Sequence, residues 1–333
     1  MGPKPFQYLD RPHDNDPTVT FSDSLIGQGT QSRLYEGTYC GKRAACKFFE
    51  EKETDCGRDE VQILKHLDHR NIVKMYCAFL HSSKGFVVVM ELLSAPLSRF
   101  SDWLARTARP LFDVVDGTGN VYFKLFLSIF TDVTAALVYL HEKNIRHCDI
   151  KPDNILLKFY NAAPAIRIVA KVCDFGIARK HPPDGDKEER GSPTYMAPEL
   201  ISDDDVMTPG NCASDIYSFG STMIEILTGE RPTALNAERH DQWSDISRKL
   251  SCSRCSFTEP CRGNLCFRLI VGNCINVDPA SRPMASQLLL GFGELASQLP
   301  NDQDLNLVAF DRRDFVAPVF DDERGHPTLF TNT

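Results

Sequence analysis

The sequence predicts an α+β fold, with strand patterns crowding the first third of the chain and long apolar helices filling the remainder. Three observations predict it. Short runs of strand character at 21–26, 44–47, 74–80 and 85–90 are separated by glycine or polar turns. One helical segment, 56–67, interrupts them, with Val61, Leu64 and Leu67 at helical spacing. Beyond Pro96 the stripe Val121, Leu125, Ile129, Val133, Leu137 and Leu140 has the length and period of a buried helix, and a second apolar helix opens at Asp215 and runs to about Leu227. At 333 residues the chain can hold one large domain or two modest lobes with a sizeable core.

Composition narrows the function classes. A net charge of -8 argues against a nucleic-acid-binding face or an anionic-membrane anchor. No apolar run is expected to reach the roughly 20 residues of a membrane span. The start lacks a signal core, and Phe6 stands where a myristoylation pattern wants Ser or Thr. The expectation is a soluble, cytoplasmic protein whose twelve Cys are thiols and not a disulfide framework.

Taken in order, residues 1–18 are rich in Pro and Asp and read as an extended arm. The stretch Gly27-Gln28-Gly29-Thr30-Gln31-Ser32-Arg33-Leu34 between two strands could close backbone N–H groups over phosphates. In Ala44-Ala45-Cys46-Lys47, period-two alternation puts Ala45 and Lys47 on one face, leaving room for a base while a cation reaches its phosphates. Glu60 lies early in the helical segment, where the helix dipole also favours it. Residues 103–120 read as a loop. After the long helix, Asp149, Lys151 and Asn154 bring a carboxylate, an ammonium and a carboxamide into six residues. Asp149 could accept the proton of an attacking hydroxyl, Lys151 could neutralise a moving phosphoryl group, and Asn154 offers an uncharged oxygen to a metal ion. Strands are expected at 155–158 and 166–173, the second leading into Asp174-Phe175-Gly176.

These motifs, in this order, resemble the eukaryotic protein kinases of Ser/Thr type over roughly Val19 to Leu299. Residues 147–154 resemble the catalytic loop His-Arg-Asp-x-Lys-x-x-x-Asn, with Cys148 in place of the Arg, the non-RD form. Residues 27–34 are similar to the glycine-rich loop, with Ser32 for its third Gly and Leu34 for its Val; 44–47 is similar to the Val-Ala-Ile-Lys strand. Asp174-Phe175-Gly176 and Ala197-Pro198-Glu199 bracket an activation segment, and Asp278-Pro279-Ala280-Ser281-Arg282-Pro283 closes the pattern. The region 274–283 is also reminiscent of the tyrosine-kinase-like group, with Ile275 where Trp is common.

The resemblance implies a two-lobed fold: a five-stranded antiparallel small lobe with one helix at 19–93, a mainly helical large lobe at 94–299, and a tail at 300–333. It implies transfer of the γ-phosphoryl group of ATP, with Mg²⁺ or Mn²⁺, to Ser or Thr hydroxyls of protein substrates. The nucleotide would meet Ile26, Gly27, Gly29, Leu34, Ala45, Lys47, Glu60, the gatekeeper Met90, Glu91, Leu93, Leu156 and Asp174. Asn154 and Asp174 would hold the metal, and Asp149, Lys151 and Asn154 would form the catalytic loop. Ser192 and Thr194 are the hydroxyls near the end of the activation segment, Thr194 being expected on Asp149 and Lys151, and Glu199 would pair with Arg282. His147, Phe175 and Asp215 would be structural, Asp215 accepting backbone hydrogen bonds around His147.

Three features stand apart. Without a guanidinium at 148, a phosphate on Ser192 lacks its usual partner, so activity is expected to depend little on phosphorylation there; Arg179 or Lys180 could substitute. Cys252, Cys255 and Cys261, followed by Cys266, have spacing that could hold zinc, against the plainer reading of Cys266 and Cys274 as small buried thiols on a helix with Leu265, Leu269 and Ile270. Cys148 and Ser32 are also what would invite the rival reading, a kinase-like scaffold that binds partners without catalysis. Substrate identity and oligomeric state are not encoded legibly.

Overall fold

A computed structural model of the protein describes residues 7–8, 19–29, 31–81, 84–107, 121–162, 165–180, 191–201, 211–229, 231–232, 267–297, 307–308, 319–320 and 327–328. The small lobe is a six-stranded sheet of β1 (Gln7–Tyr8), β2 (Val19–Gln28), β3 (Ser32–Tyr39), β4 (Lys42–Phe49), β5 (Met75–His81) and β6 (Gly85–Glu91), in the order β1-β5-β6-β4-β3-β2. Five strands are antiparallel, as expected. The sixth is a dipeptide of the N-terminal arm, which pairs in parallel with Cys77 and Ala78 and so covers an edge that would otherwise present unpaired backbone groups.

Alternation along β4 divides the lobe. Ala44, Cys46 and Phe48 join Cys77, Phe79, Val87 and Val89 in an outer cluster. Phe49, Ala78, Phe86, Val88 and Met90 face the other way, onto Val61 and Leu64 of the one small-lobe helix, α1 (Thr54–Leu64). Lys47 points to that inner side, its register partner being Val88, while Ala45 lies opposite Met90.

The large lobe begins at β7 (Ala95–Pro96) and α2 (Leu97–Thr107). Trp103 to Thr107 thus belong to a helix where the sequence suggested a loop; Leu97 and Phe100, fully buried, anchor that turn pattern from its N-terminal end. Then come α3 (Val121–Glu142), β8 (Ile145–Arg146), β9 (Ile155–Ala162), β10 (Ala165–Val172), β11 (Arg179–Lys180), α4 (Cys212–Thr228), α5 (Phe267–Cys274) and α6 (Ala285–Ser297). α3 is long and apolar enough, by length and composition alone, to cross a membrane, contrary to the expectation that no run would be. Its side chains from Leu125, Phe126 and Ile129 to Val133, Leu137 and Leu140 are instead part of the core of the lobe: Phe130 meets Phe219 of α4 at 6.0 Å and Phe292 of α6 at 6.5 Å. α4 starts three residues before Asp215 because Asn211 caps it, accepting from Ala213 N and forming a capping box with Ser214; Gly229, at φ 70°, ends it.

The chain beyond α6 returns to this lobe. β12 (Leu307–Val308) pairs with β10, β13 (Val319–Phe320) pairs in parallel with β9, and β14 (Pro327–Thr328) pairs with β13. The β9–β10 hairpin is thereby flanked on both edges by tail backbone, with β7 sharing the β9 edge at Leu156 and Leu157. Cys252, Cys255, Cys261 and Cys266 lie outside the described residues, as do the chain's Ser82, Ser83 and 108–120.

Candidate active site

The hinge between the lobes, 91–94, is fixed from the large-lobe side. Ser94 N donates to the Leu157 carbonyl at 2.8 Å, and Phe159 N donates to Ser94 Oγ at 2.9 Å. The Glu91 carboxylate, 6 % exposed, accepts from Lys158 Nζ at 2.9 Å, Lys171 Nζ at 2.8 Å and Lys74 N at 2.9 Å. Burial pushes this carboxyl up, but the charges of Lys171 and Lys158 outweigh it and hold it below its ordinary range. The sequence reading placed Glu91 only among the residues a nucleotide would meet; the two lysines were missed. The signal was present in cations interrupting two otherwise apolar strands.

Beside the hinge, Ala45 packs against Leu92 with Leu34 and Tyr160 around them, and Met90 and Leu93 are buried. Gly27 lies against Leu34; a Cβ there would stand 3.5 Å from the Leu34 Cβ. Leu156 is partly buried on the large-lobe core, and Ile26 is exposed on β2. These side chains form an apolar slot of the kind that takes a flat base.

Charged groups converge below it. Lys47 Nζ is 2.8 Å from Glu60 Oε2 and 2.8 Å from Asp174 Oδ1. Glu60 is fully buried, and burial raises its carboxyl despite the attraction of Lys47; Lys47 itself is pushed up because the two carboxylates outweigh its own desolvation. Asp174 is carried to this point by β10: Val172 bonds in both directions with the 71–73 backbone, and Cys173 N donates to the Asn154 carbonyl at 2.9 Å. Asp174 adopts φ 65°, a left-handed conformation that turns its half-exposed carboxylate toward Lys47. Phe175 is fully buried, edge-on to the His147 ring at 4.8 Å.

The catalytic-loop residues meet one another. Asp149 Oδ2 is 2.7 Å from Lys151 Nζ and accepts from Asn154 Nδ2 at 2.9 Å; the same amide also donates to the Asp149 carbonyl at 2.8 Å. Asp149 Oδ1 accepts from Ser192 N at 2.9 Å, and Lys151 donates to Ser192 Oγ at 2.7 Å. The hydroxyl on this pair therefore belongs to Ser192, where the sequence reading had Thr194. The reason is Gly191: at φ 107° it bends the chain over the Cys148 carbonyl and brings the very next residue onto Asp149.

Asp215 underpins the loop. Its carboxylate accepts from His147 N at 3.0 Å, Cys148 N at 2.9 Å and His141 Nε2 at 2.9 Å. Burial pushes it up, yet these partners hold it below its ordinary value. Arg282 and Glu199 form a two-pronged pair at 2.7 and 2.7 Å, with the Arg282 side chain fully buried.

The donor set suits a hard cation. Asp174 offers a carboxylate oxygen, and Asn154, with its Nδ2 committed to Asp149, turns its Oδ1 away from that residue. No cluster of three or more His, Cys, Asp or Glu suited to a metal occurs among the described residues.

Comparisons with known proteins agree with this geometry. The family model "Protein kinase domain" matches residues 22–290. A probable serine/threonine-protein kinase of Dictyostelium discoideum is 29% identical over 280 residues, 80% of this chain and 27% of that protein. Serine/threonine-protein kinase TIO of Arabidopsis thaliana is 30% identical over 222 residues, 64% of this chain and 15% of its own length. Serine/threonine-protein kinase D2 of Homo sapiens is 31% identical over 233 residues, 67% of this chain and 24% of its own length. The chain thus spans about a quarter or less of these relatives. With the Lys47–Glu60–Asp174 cluster joining the two lobes, and a family match covering well over half its length, this chain belongs to the protein kinase domain family.

Proposed function

We propose that the chain is a protein kinase domain, spanning about 19–299, that transfers the γ-phosphoryl group of Mg-ATP to Ser or Thr hydroxyls of protein substrates. The observation that carries this reading is Lys47 bridging Glu60 and Asp174 at 2.8 Å each, beside an Asp149 held by Lys151 and Asn154. The names of its relatives supply the Ser/Thr preference. A cytoplasmic location belongs to the same reading. The zinc alternative at 252–266 gains nothing from the described residues.

In this mechanism Lys47, oriented by Glu60, meets the phosphates of a nucleotide whose base fills the Ala45–Leu34 slot. Asp174 and Asn154 would hold Mg²⁺, which supplies charge neutralisation at the terminal phosphates. Asp149 orients the substrate hydroxyl and accepts its proton; Lys151 stabilises charge on the phosphoryl oxygens. Ser192, tied to both, sets where the peptide main chain passes. Lys47, Asp149, Asn154 and Asp174, the residues this chemistry requires, are all present, which weighs against the non-catalytic scaffold that Cys148 and Ser32 invite.

Asp149→Asn tests the reading. Turnover of a Ser/Thr peptide library with radiolabelled ATP is expected to fall by roughly 10²- to 10⁴-fold, with Mg-ATP affinity by calorimetry nearly unchanged. Unaltered turnover would refute the assignment.

A further inference from the structure

Tyr160 lies within a level of four strands whose two outer members come from the tail. Its register partner on β10 is Arg167, which pairs outward with Leu307 of β12; on its other side Tyr160 pairs with Phe320 of β13. Val308 and Val319 meet the neighbouring residues Ile166 and Phe159 in the same way. β7 reaches β9 only at Leu156 and Leu157. At 159–160 and 166–167 the outer edges of the hairpin are therefore paired with tail backbone. A two-stranded ribbon is marginal by itself, and added strands stiffen it.

This stiffened end of the hairpin faces the hinge. Alternation along β9 sends Phe159 into the large-lobe core, edge-on to Phe100 at 5.8 Å, and turns Lys158 and Tyr160 the other way. There Lys158 Nζ meets the Glu91 carboxylate at 2.9 Å, and Tyr160 packs on the Ala45–Leu92 pair. Lys158 Nζ is also 5.5 Å from the centre of the Tyr160 ring, which ties the two side chains together. One unit of β9 thus bears on two consecutive hinge residues, 91 and 92. Glu91 and Lys158 are 6 % and 7 % exposed, and a buried ion pair is favourable only while its geometry is kept. A small displacement of the hairpin end would be felt at the hinge.

We propose that β12 and β13 are positioning elements of the nucleotide site, acting through Lys158 and Tyr160 to hold Glu91 and Leu92 where the base is received. The inference rests on the reading of the cleft as a Mg-ATP site. Contacts to the base are the same before and during phosphoryl transfer, so the tail's contribution falls on KM for ATP and hardly on kcat.

The test compares full-length wild type with Val319→Pro/Phe320→Pro, Tyr160→Ala, Tyr160→Phe and Lys158→Met. The readouts are Mg-ATP calorimetry, steady-state kinetics on a Ser/Thr peptide library, and hydrogen exchange of the 91–94 amides, with circular dichroism verifying folding. The proline pair removes the backbone donors of β13 and leaves every cleft residue in place. It is expected to weaken Mg-ATP affinity and raise KM for ATP about tenfold, with a much smaller change in kcat and faster exchange at 91–94. Tyr160→Ala and Lys158→Met are expected to act alike, and Tyr160→Phe, which keeps the ring, to recover most of the loss. Joining the proline pair to Tyr160→Ala should add little, because both interrupt one path. Should the proline pair not fold, Phe320→Gly, which loosens the strand through backbone freedom, takes its place. Unchanged Mg-ATP affinity in the folded tail variant overturns the proposal, as do fully additive losses in the combined variant. A wild type that takes up no Mg-ATP strikes the nucleotide reading itself, and the tail's role falls with it; that failure is visible before any variant is compared.

Discussion

Gly191 shows how much one backbone position can decide. At φ 107° with the Cys148 carbonyl facing it, it leaves no room for a side chain. Gly191→Ala is expected to cost about 1–3 kcal/mol and to lower kcat more than it raises the KM for ATP, because it displaces Ser192 from Asp149 while the nucleotide slot is untouched. Urea denaturation and steady-state kinetics would check both halves; intact kcat with lowered stability would separate Ser192 from catalysis. The buried Arg282–Glu199 pair makes a second residue-scale prediction. Arg282→Met strands Glu199 and is expected to destabilise by about 3–5 kcal/mol, and Arg282→Lys should rescue little, since an ammonium cannot reproduce the two-pronged contact. This pair was legible from sequence because both partners stand in recognisable motifs. The Ser192 contact was misplaced by two residues because motif spacing does not reveal a positive φ.

At the scale of elements, the β9–β10 hairpin is the piece whose role was least visible in the chain. Its strands were anticipated, but their length was not: β9 runs to Ala162 where the sequence suggested an end near Lys158. Apolar periodicity marks the buried face of such a strand and says nothing of a lysine that is buried through pairing, which is why Lys158 and Lys171 went unassigned. Their partner yields a pH prediction. Glu91 has its folded pKa depressed, so the unfolded chain binds more protons in acid; its contribution is fully present above the ordinary value of 4.5 and is lost as pH falls through the folded value. Glu91→Gln should therefore show a shallower loss of stability than wild type between about pH 5 and pH 3, read from denaturant midpoints across that range. A parallel decline in both proteins would remove Glu91 from the acid response. α1 was placed nearly as found, because amphipathic spacing is a local signal, whereas α4 was opened three residues late because the Asn211 cap went unread; α2 was in part taken for a loop, its apolar anchors Leu97 and Phe100 lying at its very start.

For the whole molecule, order along the chain was the informative quantity. Each motif alone is common, but their succession predicted two lobes, and the small β lobe with its helix and the large helical lobe match that succession. Long-range backbone pairing stayed hidden: the arm dipeptide on β5 and the tail strands on both sides of the β9–β10 hairpin. Two-residue strands carry no periodicity to detect. A chain ending at Ser297 is expected to show faster amide hydrogen exchange around 159–160 and 166–167, with smaller changes in α3; unchanged protection at those positions would count against the tail pairings. The Glu91 clamp carries a consequence for turnover. Since the first hinge residue is riveted to two large-lobe cations, a swing of the lobes that pulled it free would expose an ion pair to rupture with every cycle. If the chain turns over nucleotide as proposed, product departure is expected to be paced by lifting the solvent-facing Gln28–Gly29 tip of the β2–β3 hairpin and not by the spine of the molecule.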